Sequence, residues 1–288
     1  PSISPDAQTL VYCFEGDIWK TDLNTKVSTR LTAMRGTESR PKVSPDGKWL
    51  AFTGSQYGNP DVYVMPLEGG AIRQLTFHDT QDYVESWSWD SKSIYLSSGA
   101  QNDGTAYKLA INGGTPVRLF SHFFNRIHNV AEHPTTGEIF FNDTWESDNQ
   151  STRKGYKGAF NPDIQSYNPK TKAYKGYTNY IGKDLWASID RSGNVYFASD
   201  EANGQYNLYT FQNGQKVALT QFAEAIKRPQ VSANGQKVVF EKEYQLYVYD
   251  VASKTSQKIN PNQLRNYLLP HEQDLKVRGN IAGCDVST

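Results

Sequence analysis

Apolar positions along this chain fall in short bursts of Val, Ile, Leu, Tyr, Phe and Trp that alternate with polar residues and are broken by Gly, Asn, Asp and Pro. That period-two pattern predicts short, half-buried β-strands. Hardly any stretch keeps helical periodicity beyond two turns. The bursts also repeat. Val43-Ser44-Pro45-Asp46-Gly47-Lys48-Trp49-Leu50-Ala51-Phe52 has weaker copies at Ile3–Tyr12, Ser88–Leu96, His133–Phe141, Ile189–Phe197 and Val231–Phe240. The last apolar residues of the copies are Tyr12, Phe52, Leu96, Phe141, Phe197 and Phe240, about 40 to 45 residues apart with one gap near 56. Each copy is followed by an aromatic-apolar run (Asp17-Ile18-Trp19, Asp61-Val62-Tyr63) and a closing run (Arg30-Leu31-Thr32, Gln74-Leu75-Thr76).

One unit therefore holds four short strands. Pro45-Asp46-Gly47 is a turn, because proline presets its first angle and glycine accepts its last. Glu68-Gly69-Gly70, Asn112-Gly113-Gly114 and Gln212-Asn213-Gly214 read as hairpins. Six such units at this period predict an all-β fold, a six-bladed β-propeller of four-stranded antiparallel blades over residues 1–260. The long gap belongs to blade four, where a polar insertion at about 142–162 reads as a solvated loop or extended hairpin, with a partner-docking loop as the alternative. Each blade comes from one continuous stretch, so the ring is expected to close by apolar packing between blades one and six. Residues 261–288 read as a linker plus the first strand of a following domain, and the chain as a part of something longer.

Composition narrows the partners. Thirty basic residues balance 30 acidic ones among 288. That balance disfavours nucleic acid or an anionic membrane surface, and no apolar run approaches the roughly 20 residues of a membrane span. Cys13 and Cys284 are too few for a disulfide framework or a thiolate zinc site, and Cys13, in mid-strand, reads as a small buried apolar residue.

The run from Gly16-Asp17-Ile18-Trp19 through Ser44-Pro45-Asp46-Gly47, Gly58-Asn59-Pro60-Asp61-Val62-Tyr63-Val64-Met65-Pro66 and Arg73-Gln74-Leu75-Thr76 resembles the amino-terminal six-bladed propeller of the tricorn protease family. The repeats of that family belong to the wider TolB-like, WD-like group, which these resemble. The resemblance is sharp over 16–76, looser to Asn260, and returns at Gly283-Cys284-Asp285-Val286-Ser287, where that family begins a second propeller. It implies a non-catalytic module of a serine peptidase that gates or filters peptides. Its partners would be peptides or unfolded polypeptide and the remaining domains of the parent, with homo-oligomers forming through those domains. The TolB-like alternative implies a periplasmic protein-binding scaffold. Abundant Asn, Gln and Tyr lean towards an exported, periplasmic bacterial protein, with the cytoplasm as the alternative.

The residues themselves show no catalytic motif. There is no Gly-x-Ser-x-Gly elbow, no His-Glu-x-x-His pair, no calcium loop and no phosphate-binding loop, so neither metal nor cofactor is expected. His122, His128 and His133 cluster, and on a regular strand His128 and Glu132 would share a face, yet hydrogen-bonded channel or loop histidines explain them better than a metal. A propeller glycosidase would need an acid pair, for which Glu85, Glu132 and Asp184 are candidates on different blades. Binding fits better. The first strands of the blades should line the axis and present Arg40, Lys42, Glu85, His128, Trp186 and Arg228. Arg40, Lys42 and Arg228, on neighbouring blades, would gather positive charge able to grip a peptide carboxylate. The competing reading pairs the arginines with Glu38 or Glu224. Trp87 and Trp186 read as inter-blade core.

Overall fold

The computed structural model describes residues 1–100, 104–120 and 126–262. The linker and strand expected at 261–288, along with His122 and Cys284, lie outside or almost wholly outside these. Twenty-four strands form six four-stranded antiparallel sheets, each from one continuous segment. Blade one is β1 (Ser2–Ile3), β2 (Thr9–Phe14), β3 (Asp17–Asp22) and β4 (Ser28–Arg30); blade two is β5 (Glu38–Val43), β6 (Trp49–Gly54), β7 (Asp61–Pro66) and β8 (Arg73–Gln74). Blade three is β9 (Asp82–Trp87), β10 (Ser93–Ser98), β11 (Thr105–Ala110) and β12 (Val117–Arg118); blade four is β13 (His128–Glu132), β14 (Ile139–Asn142), β15 (Gln165–Tyr167) and β16 (Tyr174–Gly176). Blade five is β17 (Asp184–Ile189), β18 (Val195–Ser199), β19 (Asn207–Gln212) and β20 (Gln215–Ala218); blade six is β21 (Ile226–Val231), β22 (Lys237–Lys242), β23 (Gln245–Asp250) and β24 (Thr255–Ile259). The six-bladed reading of the repeat is what the structure shows.

The turn chemistry is as the sequence predicts. Gly47 sits at φ +74° and donates its N–H to the Ser44 carbonyl at 2.9 Å, while the Asp46 carboxylate accepts the Lys48 N–H at 3.0 Å. The core lies between blades. Leu50, Phe52, Tyr63 and Met65 of blade two pack on Val11 and Ile18 of blade one, and Phe240, Val238 and Tyr249 of blade six pack on Leu185, Ala198 and Leu208 of blade five. Each sheet thus buries both faces against its neighbours, which the alternating apolar pattern supplies.

Blades one and six do meet through an apolar cluster, with Leu10, Tyr12 and Leu23 against Val239, Val248 and Ile259. Polar contacts join it: the Asn234 N–H donates to the Pro5 carbonyl at 3.0 Å, Lys237 Nζ to the Ala7 carbonyl at 3.1 Å, and the Asn262 N–H to the Lys26 carbonyl at 3.2 Å.

The blade-four insertion is largely exposed, and within it a short helix is pinned to the propeller. Thr144 caps a five-residue helix, α1 (Trp145–Asn149), by accepting the Ser147 N–H. Glu146 and Lys183 are buried against each other at 2.6 Å, and Arg153 closes on the second carboxylate oxygen at 2.6 Å. Lys183 also donates to the Gln150 carbonyl, and the Tyr206 hydroxyl to that of Ser151, both at 2.7 Å. Burial would raise the Glu146 carboxyl, but hydrogen bonds from Lys183 and Arg153 hold it below the usual range. One charge of the insertion, Glu146, thus anchors it to Lys183 at the start of blade five, while Asp148 pairs with Arg126 before blade four.

Candidate functional site

The inner strands surround an axial cavity of about 370 Å³. They are not regular. The register slips at the same place in five of them, between Ser39 and Lys42, Val84 and Ser86, His128 and Ala131, Leu185 and Ser188, and Lys227 and Gln230. Four residues at these bulges adopt left-handed backbone: Arg40 (φ 50°), Asn129 (53°), Trp186 (60°) and Arg228 (49°). A bulge re-aims side chains and frees ladder groups, and adjoining blades use those groups. Thr53 Oγ1 accepts the Val84 N–H at 2.9 Å, Glu85 Oε2 that of Asn129 at 3.1 Å, and Asn142 Oδ1 that of Trp186 at 3.2 Å.

Five of the six predicted channel residues line the cavity: Arg40, Lys42, Glu85, Trp186 and Arg228. His128 does not. Its bulge turns it outward, where it is buried, with Nδ1 2.8 Å from the Arg126 carbonyl and Nε2 2.9 Å from Ser147 Oγ, and Asn129 faces the cavity in its place. The same slip separates it from Glu132, whose carboxylate accepts the Trp89 N–H at 2.8 Å. His133 accepts the Thr135 N–H in its own turn. Among the described residues no three His, Cys, Asp or Glu side chains gather as metal ligands.

Arg40 pairs with Glu85 at 3.1 Å and lies 4.2 Å above the Tyr83 ring, so neither Glu38 nor Glu224 is its partner. Glu38 accepts from Thr32 Oγ1 at 2.7 Å, and Glu224 pairs with Lys242. Glu85 also accepts from Ser97 Oγ at 2.8 Å and so ties blades two, three and four together. Asp184 is buried under Lys216, 2.7 Å away. Glu85 and Glu132 thus tie blades together while lining the cavity, and Asp184 is not part of its lining. Trp87 and Trp186 are both buried in inter-blade clusters, as expected.

Lys42 and Arg228 are different. Among the described residues, neither side chain makes an ion pair or hydrogen bond. Burial in the cavity wall, with the charges of Arg228 and Arg40 alongside and Glu85 opposing, lowers Lys42 to about 7. Arg228 is exposed to the cavity, yet the protein around it and the Arg40 charge pull it below its ordinary range. Three cations thus act on one another here, one neutralised by Glu85 and two unpaired. Cys13 was expected to be buried; instead it is exposed and lines the same cavity, because β1 pairs with β2 only at Val11 and Leu10 and leaves Cys13 uncovered. Surrounding protein raises its thiol, so it is no ready thiolate.

Residues 1–255 match the family described as the tricorn protease N-terminal β-propeller domain. A tricorn protease homologue of Saccharolobus solfataricus is 26% identical over 260 residues, covering 86% of this chain and 23% of that protein. Tricorn protease homologue 1 of Streptomyces coelicolor is 29% identical over 219 residues, covering 75% and 18%. The chain therefore spans about a quarter or less of the length of these relatives. In fold it is similar to the crystal structure of the tricorn protease (TM-score 0.75, 17% identity, 90% of this chain and 26% of that one). It is similar also to a putative TolB from Agrobacterium tumefaciens (TM-score 0.70, 17% identity, 87% and 89%). On the match over residues 1–255, the chain belongs to the family of tricorn protease N-terminal β-propeller domains.

Proposed function

We propose that this propeller is a non-catalytic module of a tricorn-like serine peptidase, one that gates or filters peptides through its axial cavity and helps to scaffold the assembly. The observation that carries the reading is the pair of unpartnered cations, Lys42 and Arg228, on the cavity wall. A half-buried ammonium and an exposed guanidinium that face the cavity without an ion-pair partner are complementary to a carboxylate, and an extended peptide ends in one. The cost of keeping the two charges together falls when such an anion enters. Short unstructured peptides with free or amidated carboxy termini, titrated calorimetrically with a cleavage readout in the same tube, test this. Binding without cleavage, weakened by amidation and by Arg228→Ala, is expected. Cleavage, or indifference to amidation, overturns it.

A second reading, a TolB-like protein-binding scaffold, is favoured by the fold similarity that spans 89% of a putative TolB. It predicts no peptide binding in the cavity. A periplasmic or exported location belongs to the same proposal and is checked by fractionation of the native source.

A further inference from the structure

The turns between first and second strands of the blades rim one end of the axial cavity. Their second residue is Pro5 in blade one, Pro45 in blade two, Trp89 in blade three, Pro134 in blade four and Ala233 in blade six. Four of these five line the cavity. Blade five alone has a long cation at this turn position, Arg191, which borders a separate depression beside Pro5 and Ala233 rather than the cavity wall. Its Nη2 donates to the Pro45 carbonyl at 3.0 Å. Blades five and two are three positions apart in a ring of six, so this bond joins opposite sides of the rim.

The base of the side chain is fixed. The Arg191 N–H donates to the Ala233 carbonyl at 2.9 Å, and the buried Asp190 carboxylate accepts the N–H groups of Ser192 and Asn194, each at 2.9 Å. The far end is exposed and makes no ion pair among the described residues. We propose that Arg191 is a crossbar over the turn-side mouth of the cavity, lifted by a ligand that carries a carboxylate. The proposal rests on the peptide-passage reading for its ligand. A single exposed hydrogen bond to a neutral carbonyl favours the closed arrangement only about tenfold. A carboxylate offers the same guanidinium a charge-assisted, two-pronged bond that is stronger, so an acidic ligand exchanges for Pro45 whereas a neutral one must displace it unaided.

Thiol labelling reads access directly. In a Cys13→Ser, Cys284→Ser chain, Gln230→Cys places one thiol on the cavity wall towards this mouth, and folding is checked by circular dichroism. Labelling with a bulky neutral methanethiosulfonate is expected to quicken roughly tenfold on Arg191→Ala, while methyl methanethiosulfonate changes little. A carboxylate-bearing reagent of matched size should outpace the neutral one with Arg191 present, and Arg191→Ala should abolish that advantage. Unchanged bulky-reagent rates, or an advantage that survives the substitution, overturn the crossbar. Peptide titration separates the two readings: altered labelling without peptide binding keeps the crossbar and removes the peptide, and peptide binding with unaltered labelling does the reverse.

Discussion

Removing the Glu146 carboxylate should strongly destabilise this fold. Glu146 is 1% exposed and Lys183 is fully buried, their charged atoms 2.6 Å apart. Glu146→Leu would strand the Lys183 ammonium with one hydrogen bond, to the Gln150 carbonyl. Breaking a buried pair on one side costs about 3–5 kcal/mol, whereas replacing both partners with apolar residues is close to neutral. For a domain of this size, each kcal/mol lowers Tm by about 2–4 °C, so the single variant should melt roughly 6–20 °C lower. Glu146→Leu with Lys183→Met should recover most of that loss. Arg153, about half exposed at 45%, should contribute no more than about 1 kcal/mol. Because the folded carboxyl is held below its ordinary 4.5, its stabilisation is complete above that pH and is lost as pH falls through the folded value. Urea unfolding at pH 7 and pH 4, with limited proteolysis of residues 150–162, measures all of this. A single variant costing under about 1 kcal/mol, or a double variant no better than the single, would refute the argument.

Glu38 should show the opposite pH trend. Burial first, then the neighbouring Asp17, raise it to about 7 against the Thr32 hydrogen bond, so its contribution is complete below pH 4.5 and is lost as pH rises through about 7. Glu38→Gln should flatten that slope and stabilise the fold at pH 8 by on the order of 3 kcal/mol, read from urea midpoints across pH. Lys42, lowered to about 7, should take up a proton when an anion binds at pH 8, giving calorimetric heats that track the buffer's ionisation enthalpy; Lys42→Met should remove that dependence. Val239→Ala, at the contact of blades one and six, should cost about 2–3 kcal/mol. The first proteolytic nicks should then fall within those two blades, and nicks confined to other blades would count against that seam as the weak one.

The fold was legible because its instructions are local. A turn such as Ser44-Pro45-Asp46-Gly47 and its flanking alternation specify a hairpin without reference to the rest of the chain, and six repeats of it leave one way to bury both faces. The cavity wall was legible as far as strand order decides it, which is why Arg40, Lys42, Glu85, Trp186 and Arg228 fall on it. What failed depended on one-residue shifts and distant partners. Alternation assigns His128 to a face, but the bulge before Ala131 reverses it, and nothing in His-Asn-Val-Ala-Glu announces a bulge. The anchor inside the otherwise exposed insertion was missed because Glu146 meets Lys183 only in space, 37 positions away. A cue for Arg191 was present, a lone cation at a repeat position otherwise held by Pro, Trp or Ala, and it shows only when the six turns are aligned.

The bulges carry a further consequence. At three of the joints a backbone N–H beside the bulge is met by an acceptor of fitting reach from the preceding blade, Thr53 for blade three, Glu85 for blade four and Asn142 for blade five. The blades share a pattern, but their joints are keyed differently. A ring reassembled with two blades exchanged would keep every sheet intact and yet meet the wrong acceptor at its joints. Sheets that look alike in sequence are thus parts with an assigned place.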